Sequence, residues 1–210
     1  MLEHAIPQPS NPAWFTESLL ACPVMAVFRG LSPERTVELA TVAWDVGVLN
    51  VEVPIESARA VASLGAAVAA GASRGMRVGA GTIISASQLS TAISAGAAYG
   101  VSPGLDPTLL TLAGERSFPF IPGVATASEV LHAQRLGFRW IKAFPASVLG
   151  TEWFTAMKGP FPETNFIATG GMTGRNAGLF LASGASVVGV GSALGTADER
   201  EMLSALIAPH

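Results

Sequence analysis

The sequence predicts a (β/α)8 barrel with one additional helix at its N-terminal side. Three observations carry that expectation. First, β-rich runs alternate with Ala- and Leu-rich helical segments along nearly all of the 210 residues. Second, eight such pairs recur at intervals of about 20 to 25 residues, and strands alternating with helices build a parallel sheet. Third, half the residues are hydrophobic and only 13% are charged, as expected of strands buried on both faces. An open doubly wound sheet is the other arrangement of the same units. Eight of them close naturally into a barrel of the TIM type.

The elements follow in order. Residues 11–21 read as the additional helix, capping the bottom of the barrel. The first strand, PVMAVF at 23–28, leads into a helix over 32–47, with Ser32 as N-cap, Pro33 at the first helical position and Gly47 closing it. LNVEVPI at 49–55 precedes the helical stretch 57–75, and MRVGAG at 76–81 precedes 85–96. AYGVSPG at 98–104 is followed by a helix over 106–117, and FPFIPG at 118–123 by one over 126–137. RWIKAFPA at 139–146 precedes a helix at 151–159, and TNFIATGG at 164–171 one at 173–184. SVVGVGSA at 186–193 leads into a final helix ending near Ile207. No linker or low-complexity block divides the chain, so one domain is expected over 1–210.

Composition excludes several function classes. Gly, Ser, Thr, Pro or a charge interrupts every apolar run before the roughly 18 to 20 residues a membrane span needs, so no membrane association is expected. The first residues lack a basic region followed by an apolar core, so no secretory signal is read and a cytoplasmic location fits. The sole cysteine, Cys22, excludes an intrachain disulfide and a cysteine-based zinc cluster. A net charge of −3 with scattered arginines gives no basic stripe for nucleic acid. His4, His132 and His210 have no partners at metal spacing, so no metal is expected. What remains is a small-molecule partner.

In this architecture functional groups gather at the C-terminal ends of strands. Unusual residues do cluster there. One of the chain's two lysines, Lys142, sits inside the apolar run WIKAFPAS. Alternation puts Trp140, Lys142 and Phe144 on one face of the strand and Ile141 and Ala143 on the other. If the small and aliphatic pair meets the helices, Lys142 points into the barrel. Desolvating an ammonium is costly, so a neutral amine able to attack a ketone becomes accessible. Glu52 interrupts a β-branched run in the same way and is read as a proton-transfer group. The competing interpretation of both is a structural ion pair.

The glycines of ATGGM and GVGSALG, with Gly170, Gly171, Gly191 and Ser192, expose backbone N–H groups suited to a phosphate, although such loops also serve as simple turns. Thr82, in VGAGT, is placed for a carboxylate or carbonyl oxygen, Ser85 being the better helix cap. Arg29, in VFRG, is read either as a carboxylate clamp or as a loop arginine paired with Glu52 or Glu56. Pro103 and Gly104 shape the mouth after the fourth strand. A phosphosugar isomerase or epimerase, with Glu52 as base and Lys142 as electrostatic stabiliser, and a non-catalytic phosphate binder remain open on these residues alone.

Taken together in order, PVMAVFRG, VEVPI, VGAGT, VSPG, IPGVAT, IKAFPAS, ATGGM and VGVGSAL resemble the KDPG and KHG aldolase family, over about Pro23 to Leu194. The resemblance implies a barrel, a homotrimer, and class I aldol chemistry with neither metal nor cofactor. It implies that Lys142 forms the Schiff base, that Glu52 transfers protons, that Thr82 lies near the pyruvate carboxylate and that Phe144 lines the site. It places Gly170, Gly171 and Ser192 on the phosphate loops. Two features divide the expected substrate. Glu56 stands where many gluconate-type members have an arginine, and VFRG with VEVPIES resembles the galactonate-type enzymes, in which an arginine after the first strand takes that role. Thr169 and VSPG resemble the gluconate type.

Overall fold

The computed structural model describes residues 12–191 and 195–207. Its elements run α1 (Ala13–Ala21), β1 (Val24–Val27), α2 (Pro33–Asp45), β2 (Asn50–Pro54), α3 (Ala58–Ala72), β3 (Val78–Gly81), α4 (Ala86–Ser94), β4 (Tyr99–Val101), α5 (Pro107–Glu115), β5 (Phe120–Ile121) and β6 (Gly123–Val124). They continue with α6 (Ala127–Arg135), β7 (Trp140–Ala143), α7 (Ala146–Leu149), α8 (Thr151–Lys158), β8 (Asn165–Thr169), α9 (Gly174–Ala182), β9 (Ala185–Val190) and α10 (Ala197–Ile207).

All strand pairs are parallel, in the order β5-β4-β3-β2-β1-β9-β8-β7-β6. The two ends of that order, β5 and β6, flank Pro122. They are one expected strand cut in two, because proline brings no N–H to a ladder. The Pro122 carbonyl still accepts from Lys142 N at 2.9 Å, while Ser102 N donates to Ile121 O at 3.0 Å. The split strand therefore bonds to both neighbours and closes a (β/α)8 barrel.

Local chemistry starts the helices where the sequence places them. Ser32, Ser57 and Ser85 accept from the N–H three residues on, and Asp106 caps α5 with Pro107 at its first position. Thr126 and Glu129 form a reciprocal capping box on α6. Gly47, at φ 94°, follows α2 in the left-handed region that favours glycine. The one-turn α7 was not expected; four residues are too few for a helical period to be read.

The strands sort side chains into two cores. Val51, Val53, Ile141 and Ala143 face outward into the layer between sheet and helices. Met25, Tyr99, Val101, Ile121, Trp140, Ile167 and Val187 fill the barrel interior. Phe15 and Leu19 of α1 join that interior group, and Asn50 donates to Ser18 O at 2.9 Å, which seats α1 across the N-terminal end. With that end plugged by apolar side chains, the open end is the C-terminal one.

Candidate active site

A cavity of about 360 Å³ opens at the C-terminal end of the strands. Val27 contributes from β1 and Arg29 from just beyond it, and Lys142 from β7 and Phe144 from just beyond that strand. Thr169 to Thr173 contribute from the end of β8 and the loop beyond it, and Gly189 and Gly191 from β9 and its end. Lys142 follows the inward Trp140 by two residues, so strand alternation aims its side chain up the barrel axis into this space. It is only 5% exposed, and its Nζ lies 5.4 Å from the Phe144 ring centroid.

Glu52 stands opposite. Along the sheet β1, β9 and β8 separate β2 from β7, so the two side chains meet across the interior rather than between neighbouring strands. Glu52 is fully buried, with Oε1 3.6 Å from Lys142 Nζ. Neither carboxylate oxygen has a hydrogen-bond partner among the described residues. A buried ion pair kept for stability needs its remaining lone pairs satisfied, because attraction alone seldom repays desolvation. The arrangement instead suits a carboxylate that exchanges protons with something bound above it.

The residues around Glu52 are shaped for it. Gly81 faces it from β3, and a Cβ there would overlap Oε1. Below lies Tyr99, whose phenol is pushed well above its ordinary value by burial and then by the Glu52 charge. It therefore stays protonated and donates to Val51 O at 2.9 Å, which leaves the carboxylate to Lys142; Glu52 does not itself line the cavity but meets it through that lysine.

Arg29 pairs with Glu56, not Glu52. Its Nη1 lies 3.5 Å from Glu56 Oε2, and its Nη2 donates to Thr82 Oγ1 at 2.9 Å. Both partners are local to the mouth, and the Arg29 side chain remains 53% exposed. Thr82 does not line the cavity but reaches it through Arg29. It holds φ 59°, a left-handed conformation rare for a β-branched residue and costing about 1–3 kcal/mol. Ser85 caps α4, so that strain does not serve helix capping.

Gly170 and Gly171 adopt φ 93° and 77°. A Cβ on Gly170 would lie 3.1 Å from Phe144 Cε2 and Pro145 Cα, so a larger residue would press the loop off the lysine strand. The Gly170 carbonyl accepts from Ser147 N at 3.0 Å. Thr169 is buried and its Oγ1 has no partner among the described residues. Gly191 borders the cavity, while Ser192 lies outside the described residues. Pro103 does not line the cavity; its backbone packs against Gly123. Sequence reasoning missed Val27, Gly189, Met172 and Thr173 as lining residues. Alternation from Met25 and from Gly191 carried the signal for the first two.

Among the described residues, no group of three or more His, Cys, Asp and Glu gathers to hold a metal ion, and no helix is long and apolar enough to cross a membrane.

Comparison with known proteins bears directly on this site. A family model described as KDPG and KHG aldolase matches residues 16–206. The chain is 33% identical over 173 residues to a probable 2-dehydro-3-deoxy-6-phosphogalactonate aldolase of Rhizobium meliloti, covering 82% of this chain and 81% of that one. It is 35% identical over 168 residues to the KHG/KDPG aldolase of Escherichia coli K12, covering 79% and 78%. The fold superposes with a TM-score of 0.77, at 28% identity and over 90% and 94% of the two chains, on a KDPG aldolase from Legionella pneumophila that holds pyruvate as a covalent carbinolamine. A parallel barrel, a buried lysine and glutamate at its open end, and a family match across most of the length lead to one conclusion: the chain belongs to the KDPG and KHG aldolase family.

Proposed function

We propose that this protein is a class I aldolase that cleaves 2-keto-3-deoxy-6-phosphogluconate to pyruvate and glyceraldehyde 3-phosphate. The galactonate epimer and 4-hydroxy-2-oxoglutarate are further candidate substrates. The observation that carries the reading is the buried lysine amine at the open end of the barrel, 3.6 Å from a carboxylate whose oxygens have no other partner among the described residues. The carbinolamine in the Legionella relative supports it.

Lys142 Nζ, having given a proton to Glu52, attacks the C2 ketone. Glu52 returns that proton to the carbinolamine hydroxyl, which leaves as water, and the resulting iminium takes up the electron pair as the C3–C4 bond breaks. Glu52 accepts the C4 hydroxyl proton, so the aldehyde leaves and a pyruvate enamine remains. Protonation at C3 and hydrolysis then free pyruvate and the amine. The iminium is the electron sink, so the reaction needs neither metal nor cofactor.

Arg29 holds the acid end of the substrate in this reading, with Thr82 fixing its fork, and Gly170, Gly171, Gly191 and Ser192 receive the phosphate. Thr169 and Phe144 line the path between, and Pro103 is assigned to the mouth. The working form is a cytoplasmic homotrimer. Arg29→Ala is expected to raise KM about tenfold or more while kcat stays within a few-fold, as initial rates over substrate concentration will measure.

The direct test is pyruvate release from the two C4-epimeric phosphorylated acids, assayed side by side in chelator. Turnover of either supports the reading, and the ratio assigns the epimer. No pyruvate from either, or from 4-hydroxy-2-oxoglutarate, would overturn it.

A further inference from the structure

The first turn of α10 reads Thr196-Ala197-Asp198-Glu199. That pattern predicts a capping box in which the glutamate returns to the N–H of its own helix cap. Half of the box is present, since Glu199 N donates to Thr196 Oγ1 at 3.3 Å. The carboxylate, however, crosses to another helix. Gly174 N, at the start of α9, donates to Glu199 Oε2 at 2.6 Å. Residue 174 is fitted to that contact, because a Cβ there would lie 2.7 Å from Oε2 and 3.0 Å from Met202 Cβ.

The helix end so occupied is built into the cavity wall. Thr173, which precedes Gly174, lines the cavity. Thr173 N donates to Asn176 Oδ1 at 2.9 Å, and Asn176 Nδ2 donates to Gly171 O at 3.0 Å. The loop at Gly170–Thr173 and the first turn of α9 thus form one hydrogen-bonded unit. Its positive dipole end, which attracts an anion in the cavity, already carries a fixed negative charge.

We infer that Glu199 is a specificity-determining residue, an intramolecular anion that lowers the advantage of a phosphorylated substrate over an unphosphorylated one. This rests on the aldolase reading for its choice of substrates, but its physical content is the affinity of the Gly170–Thr173 wall for phosphate. A carboxylate at Gly174 N cancels much of the helix-end attraction and repels a phosphate dianion across the wall. The penalty falls chiefly on the phosphate, because the hydrogen bonds from the start of α9 run to the Gly170–Thr173 wall, whereas Lys142, Glu52 and Arg29 act from β7, β2 and the turn after β1.

The test uses Glu199→Gln, which keeps an acceptor for Gly174 N and removes the charge, beside Glu199→Ala, which removes both. Thermal melts establish that each is folded. In Glu199→Gln, kcat/KM for 2-keto-3-deoxy-6-phosphogluconate divided by that for 2-keto-3-deoxygluconate should rise about two- to fivefold at low salt. The gain should come through KM and shrink as salt is added. Calorimetric titration with inorganic phosphate should show Kd falling by a similar factor, without any turnover. An unchanged or lowered ratio, an equal gain for both substrates, or a phosphate Kd that does not fall in either folded variant overturns the inference. A parent enzyme that releases no pyruvate overturns the aldolase reading instead and leaves the phosphate comparison decisive for Glu199.

Discussion

Lys142→Met is expected to lose at least about three orders of magnitude in kcat, because no other lysine lines the cavity to carry the proposed covalent intermediate. The chain's other lysine, Lys158, is committed to the Thr164 carbonyl at 2.7 Å, and it lies on α8 away from the cavity lining. The loss should appear in kcat and not be recovered at high substrate concentration, since the missing step follows binding. Methionine matches the stem of lysine in length, so the space beside Phe144 stays filled although the ammonium over its ring is lost. Removing the ammonium leaves Glu52 buried without its partner. A destabilisation of up to about 3–5 kcal/mol follows from leaving that group unpaired, and denaturant unfolding measures it.

Glu52→Gln is the second large effect, with kcat falling about 10²- to 10⁴-fold, the usual contribution of a positioned acid–base group. It should differ from Lys142→Met in kind. The amine is the only covalent participant in imine formation, so Glu52→Gln enzyme incubated with pyruvate still forms the adduct, more slowly, with water taking and returning the proton that Glu52 otherwise handles. Single-turnover kinetics should then show carbon–carbon cleavage or enamine protonation as the slow step. Loss of adduct formation to the same extent as turnover would make Glu52 a structural partner of Lys142 rather than its proton carrier. Gly81, whose missing Cβ makes room for Glu52 Oε1, and Tyr99, which packs beneath it, show why a glutamine fits: the space is sized for this side chain and the phenol makes no bond to it.

How much of this was legible in the sequence depends on the range of each interaction. Helix starts were legible because a cap is a contact over three residues, as Ser32, Ser57, Ser85 and Thr126 demonstrate. The inward faces of β2 and β7 were legible because alternation has a period of two, and Val51, Val53, Ile141 and Ala143 did turn outward. From those faces and the barrel rule, Glu52 and Lys142 could be aimed at one space, though not brought to 3.6 Å. The partners of Arg29 lie 27 and 53 residues away, and the choice of Glu56 over Glu52 was undecidable before the strands were placed. Glu199 misleads a local reading outright. Its own helix offers a cap partner, and only the approach of α10 to Gly174 diverts it. Pro122 carried a legible warning that the fifth strand would break, since a proline cannot donate within a ladder.

Central to the mechanism is that the Lys142 amine forms an imine with a keto acid at the open end of the barrel. Borohydride reduction in the presence of saturating pyruvate, followed by peptide mass analysis, tests it most directly. The account predicts one reduced pyruvyl group per chain, located on the peptide containing Lys142 and absent from Lys142→Met enzyme. Unmodified protein under those conditions, or a label on Lys158, would contradict it.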